Sequence, residues 1–257
     1  MKIQNIAAQL FTIRDYIKTP ADIARSLQRI RKIGYQAVQV SGMGPIAESE
    51  LKKILDGEGL VCCVTHEPTG TILDKPQAVI DRLRALDCRF TAIPSPGPNI
   101  DNSYESVTRF AEAINRSGKA MHEAGIILTY HNHNGEFGRR NGRLILDIIY
   151  DSTDPRYLQS ELDTYWVQAG GGNPAAWCKK LTGRLPIIHL KDFGINEQGQ
   201  QVFREIGNGN LDWSEIIPIV EKAGCGWFIV EQDAHWINND PFESLRVSFD
   251  YLVKHWC

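Results

Sequence analysis

IILTYHNHNGEF, residues Ile126–Phe137, decides how the rest of this chain is read. An apolar, β-branched run of strand character stops abruptly at His131 and His133, with Glu136 just beyond. A strand needs its apolar residues for a core, and burying ionisable groups unpaired at its tip costs several kcal/mol each. The same pattern recurs in LQSELDTY (Leu158–Tyr165), IIHLKDF (Ile187–Phe193) and WFIVEQD (Trp227–Asp233). Four such tips imply one shared job. For His, Asp, Glu and Lys together, that job is a metal site with acid–base chemistry.

Four further strand candidates lie upstream: Ile6–Thr12, Gln36–Gly42, Leu60–His66 and Arg89–Ser95. Amphipathic helices separate the strands, as in Ile23, Leu27, Ile30 and Ile33 at three- and four-residue spacing. Thr19–Pro20, Asn173–Pro174 and Asp240–Pro241 each set a capping residue before a first-turn proline. Gly34, Gly59, Gly125 and Gly224 fall where helices should end. Eight strands alternating with eight helices is the arithmetic of a single (β/α)8 barrel over residues 1–257. A doubly wound sheet shares the alternation but more often has fewer strands. No linker or low-complexity segment divides the chain, and the long connections follow strands, which puts the chemistry on the carboxyl-terminal face.

At 257 residues, with 42% hydrophobic and 23% charged residues, the composition is that of a globular protein. The net charge of −3 supplies no basic field for nucleic acid. The amino terminus lacks a signal-peptide core, and no run of about 18 apolar residues is available to span a membrane. A cytoplasmic protein is expected. The six cysteines show neither CxxC nor zinc-finger spacing and read as small buried hydrophobes, with no disulfide framework.

Within the site, Glu231 and Asp163 are strand-tip carboxylates suited to metal ligation, and Glu231 is also the first candidate for a base. His189 and Lys191 stand two residues apart on one strand and so share a face. On the fifth strand His131, His133 and Glu136 are all open as ligands, and both histidines are candidates for proton transfer. Gln9, Arg14 and His66 are placed to meet substrate, as is Glu205 at the head of the glycine-rich stretch EIGNGNLD (Glu205–Asp212). That stretch matches no phosphate-loop motif, and Gly170–Gly172 reads as turn punctuation. Phe11, Tyr165, Trp166, Trp213 and Trp236 lie in or beside these loops, where a ring can stack on the C–H face of a sugar.

Taken together, QLFTIRD, YHNHNGEF, LDTYWVQAGG, HLKD, EIGNGNLDW and VEQD resemble the xylose isomerase-like TIM-barrel group of sugar phosphate isomerases/epimerases, along essentially the whole chain. The resemblance implies one divalent cation (Mn²⁺, Mg²⁺, Co²⁺ or Zn²⁺) held by Glu, Asp, His and Glu from strands five to eight. Asp163, His189 and Glu231 match the last three. At the first, the family's glutamate is replaced by His131, and the nearest glutamate is Glu136. This departure is closer to inosose dehydratase-like members. The implied activity is isomerisation or epimerisation of a sugar by proton abstraction next to a carbonyl, through a metal-stabilised enediolate, with dehydration or β-elimination on the same site as the alternative. The implied partner is a small carbohydrate, and the surface aromatics leave room for a homo-oligomer. The DNA-repair endonuclease branch clusters three metals and needs more ligands than seven histidines, two of them in helices, can supply. A non-catalytic sugar-binding barrel would have no need to keep the Asp163–His189–Glu231 set.

Overall fold

The computed structural model describes residues 1–101 and 103–257. Strands β1 (Ile6–Gln9), β2 (Ala37–Val40), β3 (Val61–His66), β4 (Phe90–Ile93), β5 (Ile127–His131), β6 (Gln159–Asp163), β7 (Ile187–Leu190) and β8 (Trp227–Val230) pair in chain order, all parallel. β8 returns to β1 through Ile6↔Phe228 and Ala8↔Val230, closing the barrel. This is the (β/α)8 architecture expected from the alternation. The helix signals hold as well. Thr19 forms a capping box with Asp22, Asn173 and Asp240 cap their helices by side-chain oxygens, and Gly34, Gly59, Gly125 and Gly224 all have positive φ.

Alternation along each strand divides the apolar residues between two cores. Ile6, Val38, Leu128, Tyr130, Leu162, Ile188, Leu190, Phe228 and Val230 face the helices and build the main core. Against them pack helices such as Pro20–Ile33, which buries Ile23, Leu27 and Ile30 on one stripe. Each such side chain contributes about 1.5–3 kcal/mol, far more than the few tenths that a β-branched residue costs a helix. The opposite strand faces point into the barrel. There a small apolar floor of Ala7, Ala37, Cys63, Val64, Ile187 and Ile229 carries a polar layer above it. Gln9, Gln39, Thr65, Thr91, Thr129, Glu161 and His189 fill that layer, all fully buried. Cys62, Cys63, Cys88 and Cys178 are buried and free, in keeping with the hydrophobe reading.

Two short antiparallel hairpins lie outside the expected strand set: Arg139–Arg140 with Arg143–Leu144, and Asp192–Ile195 with Gln201–Arg204. The seventh strand therefore ends at Leu190, earlier than IIHLKDF suggests, because Asp192 leaves the barrel to start the second hairpin. Asp192 also explains the glycine-rich stretch. Its buried carboxylate accepts backbone N–H bonds from Phe193, Gly207, Gly209 and Leu211 at 2.8–3.2 Å and the Trp213 indole N–H at 2.8 Å. The loop wraps this carboxylate. At Gly209 a Cβ would collide with Asp192 Oδ1, so a side chain there is excluded. The other glycine cluster has a packing cause too, since the Phe137 ring lies where a Cβ on Gly170 or Gly172 would sit.

Asp192→Ala removes the acceptor shared by these donors, each costing about 1–3 kcal/mol if left unpaired. A destabilisation on the order of 3 kcal/mol or more is expected in urea unfolding, and an unchanged midpoint would show that the loop is held by other contacts.

Candidate active site

Barrel register brings the strand tips to one level. Asp163 pairs with His189, His131 pairs with Glu161, and Ile229 pairs with His189. The two-residue period then sets Asp163 above Glu161, Lys191 above His189 and Glu231 above Ile229. One ligand atom from each of His131, Asp163, His189 and Glu231 lies within 4.8 Å of the others, and all four residues are buried. His189 Nδ1 is 2.9 Å from Glu231 Oε2 and 3.8 Å from Asp163 Oδ2, while His131 Nε2 is 3.8 Å from Asp163 Oδ2. Asp163 Oδ1 caps the following helix by accepting from the Trp166 N–H, leaving Oδ2 buried without a hydrogen bond. Two carboxylates and two imidazoles, with Asp163 Oδ2 buried among them and met only by ion-pair contacts, fit a borderline-hard divalent cation.

Lys191 Nζ binds this group together at 2.8 Å from Glu231 Oε2, 3.0 Å from Asp233 Oδ2 and 3.1 Å from Asp163 Oδ2. Phe11, Ser41, His66, Pro94, His131, His133, Lys191, Glu231 and Asp233 line a cleft of about 130 Å³ above it. A second cleft of about 470 Å³ opens beside it, sharing His133, but none of the clustered ligating atoms border it.

The expected site residues divide into two sets. Glu231, Lys191, His131, Asp163 and His189 converge, with His133 and His66 on the cleft wall. Trp166 stands behind them, its ring 5.2 Å from that of His133 and 5.5 Å from Lys191 Nζ. Gln9 is buried below, where its Oε1 accepts from the Phe11 N–H and its Nε2 makes no hydrogen bond. Glu136 does not join the cluster. Tyr130 faces the outer core and donates its hydroxyl to Glu136 Oε1 at 2.7 Å, while Oε2 accepts the His133 N–H at 3.1 Å, so that carboxylate is turned away and His131 holds the strand-five position. Glu205 does not join the cluster either. It accepts from Ser244 Oγ at 2.6 Å and Gln232 Nε2 at 3.1 Å, bracing the loop after β8. Three residues escaped the sequence reading: Glu161, Asp233 and Gln39. Period-two spacing before Asp163 and after Glu231 was a usable signal for the first two, whereas Gln39 in QAVQVSG carried none.

The model of the xylose isomerase-like TIM-barrel family matches residues 27–255. The inosose dehydratase of Bacillus velezensis is 27% identical over 165 residues, covering 58% of this chain and 55% of its own length, so that match spans about half of the relative. The inosose dehydratase of Geobacillus thermodenitrificans is 26% identical over 254 residues, covering 85% of each chain. In structure, a sugar phosphate isomerase/epimerase from Parabacteroides distasonis superposes with a TM-score of 0.85 at 22% identity, over 100% of this chain and 96% of that one, a likeness of fold.

Charge in the site is set by competition between burial and neighbours. Burial pushes the Asp163 carboxyl up to about 6, against the pull of Lys191 and His189. Burial works the same way on Glu231, but Lys191 and His189 outweigh it and hold that carboxyl well below the usual range. Burial lowers His133 to about 4, helped by Lys191, and takes His131 well below 6.5, so both rings are neutral at pH 7. His189 goes the other way. Burial disfavours its charge, yet Glu161 and Glu231 flank the ring and raise it to about 10. A histidine raised from 6.5 stabilises the fold fully below pH 6.5, and this contribution fades as pH rises through about 10. In chelator-treated protein, His189→Asn should therefore flatten the alkaline fall in stability between those values. Urea unfolding across that range checks it, and a wild-type profile with no such fall would refute the assignment.

Proposed function

The chain belongs to the xylose isomerase-like TIM-barrel family, and from that premise we propose that it is a divalent-metal-dependent isomerase or epimerase of a sugar or sugar derivative, working by proton removal next to a carbonyl. The observation that carries this reading is the convergence of His131, Asp163, His189 and Glu231 beside Lys191 at the floor of a small cleft. His131, Asp163, His189 and Glu231 would hold the cation. When bound, it supplies Lewis acidity that polarises the substrate carbonyl and makes the neighbouring C–H more acidic.

The chain's own groups supply the rest. Glu231 is ionised and has Oε2 committed to His189 and Lys191, while Oε1 has no donor among the described residues and is the proton acceptor. Lys191 holds its ammonium on the cleft wall, where negative charge developing on a substrate oxygen is stabilised without reorganisation. His133, neutral and facing the same cleft, can return a proton from another side. Phe11 offers an exposed ring to the apolar face of a sugar. Asp233 anchors Lys191 through Oδ2.

A dehydratase acting on an inosose or keto-sugar is the second reading, and one observation favours it. Symmetric epimerisation by two carboxylates needs a second carboxylate at the tip of β5, and here Glu136 is engaged by Tyr130 on the far side of the barrel wall. The relatives from Bacillus and Geobacillus named inosose dehydratases point the same way.

Incubation of Mn²⁺-loaded protein with ketoses, keto-sugars and inososes in D₂O, followed by NMR, separates these readings. Deuterium next to the carbonyl with every oxygen retained marks isomerisation or epimerisation, and loss of water marks dehydration. Glu231→Gln should slow exchange by roughly 10²–10⁴-fold with the fold intact. Undiminished exchange in that variant would remove Glu231 as the base.

A further inference from the structure

Beneath the proposed cation ligands lies a carboxylate that the chemistry above does not use. Glu161 is fully buried on β6, two residues before Asp163 and on the same face. Its Oε1 lies 3.0 Å from His189 Nε2, 3.3 Å from His131 Nδ1 and 2.5 Å from His66 Nε2. Gln39 Nε2 donates to both of its oxygens, at 3.1 and 3.0 Å, and this fixes the amide so that Gln39 Oε1 faces His189 Nε2 at 2.7 Å. Each of the two ligand rings therefore spans two carboxylate layers. The lower nitrogens, His189 Nε2 and His131 Nδ1, face Glu161. The upper ones, His189 Nδ1 and His131 Nε2, face Glu231 and Asp163.

We propose that Glu161 is a positioning residue: from inside the barrel it holds the rings of His131 and His189, with Gln39 as relay, so that their upper nitrogens converge on Asp163 and Glu231. An imidazole has two nitrogens, and the partner of one decides the orientation and availability of the other. Three residues from three different strands, His66, His131 and His189, meet on one oxygen of Glu161. A buried carboxylate is costly unless it is supplied with donors; Gln39 and His66 satisfy Glu161 by hydrogen bonds, and its charge draws the His131 and His189 nitrogens at 3.3 and 3.0 Å. The same four side chains, His66, His131, Glu161 and His189, also lie close enough to ligate an ion of their own. The contacts to Glu161 Oε1 argue against it, because that oxygen already accepts from Gln39 Nε2 at 3.1 Å and meets His66 Nε2 at 2.5 Å.

The inference rests on the reading that the upper four residues bind a cation, and the test keeps the two apart. Mn²⁺ titration by calorimetry is run on wild type, Glu161→Gln and Gln39→Leu, each first shown to melt cooperatively. ¹⁵N-histidine NMR of the metal-free proteins reports the ring N–H groups. Expected are one Mn²⁺ per wild-type chain, a Kd weakened roughly 10–100-fold in Glu161→Gln, and a smaller weakening in Gln39→Leu. The ring N–H signals that face Glu161 should shift or vanish in Glu161→Gln, a change that general loosening of the fold would not produce. If Glu161→Gln does not fold, Gln39→Leu alone carries the test through Mn²⁺ affinity and the His189 signal. Wild-type affinity and unshifted histidine signals in the folded variants would overturn the proposal. So would two Mn²⁺ per wild-type chain with one lost in Glu161→Gln, which would make Glu161 a ligand. No Mn²⁺ uptake by wild type would sink the metal-site reading itself, and this inference with it.

Discussion

The ammonium of Lys191 sits within 3.1 Å of oxygens from Asp163, Glu231 and Asp233, in a barrel mouth where Lys191 itself is 1% exposed. Like charges about 4 Å apart repel by about 4 kcal/mol at an effective dielectric of 20, so three carboxylates could not share this mouth ionised without a cation among them. Asp163, Glu231 and Asp233 raise the Lys191 pKa against the opposing effect of burial. Its position is fixed from the backbone. Thr164 Oγ1, at the start of the helix after β6, accepts the Lys191 N–H at 3.0 Å and donates to the carbonyls of Lys191 and His189 at 2.9 and 3.1 Å. The end of β7 is thereby clamped to the end of β6, and the tips bearing Asp163, His189 and Lys191 keep their spacing.

This arrangement has a structural cost, which the fold meets by division of labour. A barrel built for stability alone fills its interior with branched apolar layers. Here only the floor is apolar, and the layers above it hold Gln, Thr, Glu and His. Several of the polar atoms are supplied with partners across strands: Thr65 Oγ1 donates to Thr91 Oγ1, Thr129 Oγ1 donates to the Thr91 carbonyl, and Gln39 bridges Glu161 and His189. Apolar stabilisation is left to the outer faces of the same strands, where Tyr130, Leu162, Ile188 and Phe228 pack against helices. Breaking a buried charge network by removing one member typically costs about 3–5 kcal/mol, and the large outer core is what makes such a network tolerable.

The two faces of β5 show this division most closely. His131 points inward and joins the candidate metal-binding cluster, while its neighbour Tyr130 points outward and draws Glu136 with it. The tip of β5 thus presents an imidazole to the cluster, and the glutamate six residues beyond Tyr130 accepts that tyrosine's hydroxyl hydrogen bond. The hairpin Asp192–Arg204 completes the enclosure, since Phe203 stacks on Tyr165 at 4.0 Å and meets Trp166 edge-on at 5.8 Å, closing the wall behind Lys191.

Local physics made much of this legible in the chain itself. Strand runs, capped helix starts and positive-φ glycines depend on neighbours within a few residues, so the barrel and the tips bearing Asp163, His189, Lys191 and Glu231 could be read in order. The finer assignments could not. Whether Glu136 or His131 reaches the centre depends on which face of β5 the Tyr130 hydroxyl occupies, and Glu205 was drawn to Ser244 and Gln232, residues far along the chain. Glu161 and Gln39 meet across 122 positions of sequence, and the EIGNGNLD loop closes on Asp192. By itself the sequence determined the fold and which strand ends carry the clustered ionisable side chains, because periodicity and capping are local. Only the tertiary structure decided which side chain at each end faces the centre and which polar partner holds it there, because that choice is made by barrel closure and register between strands distant in the chain.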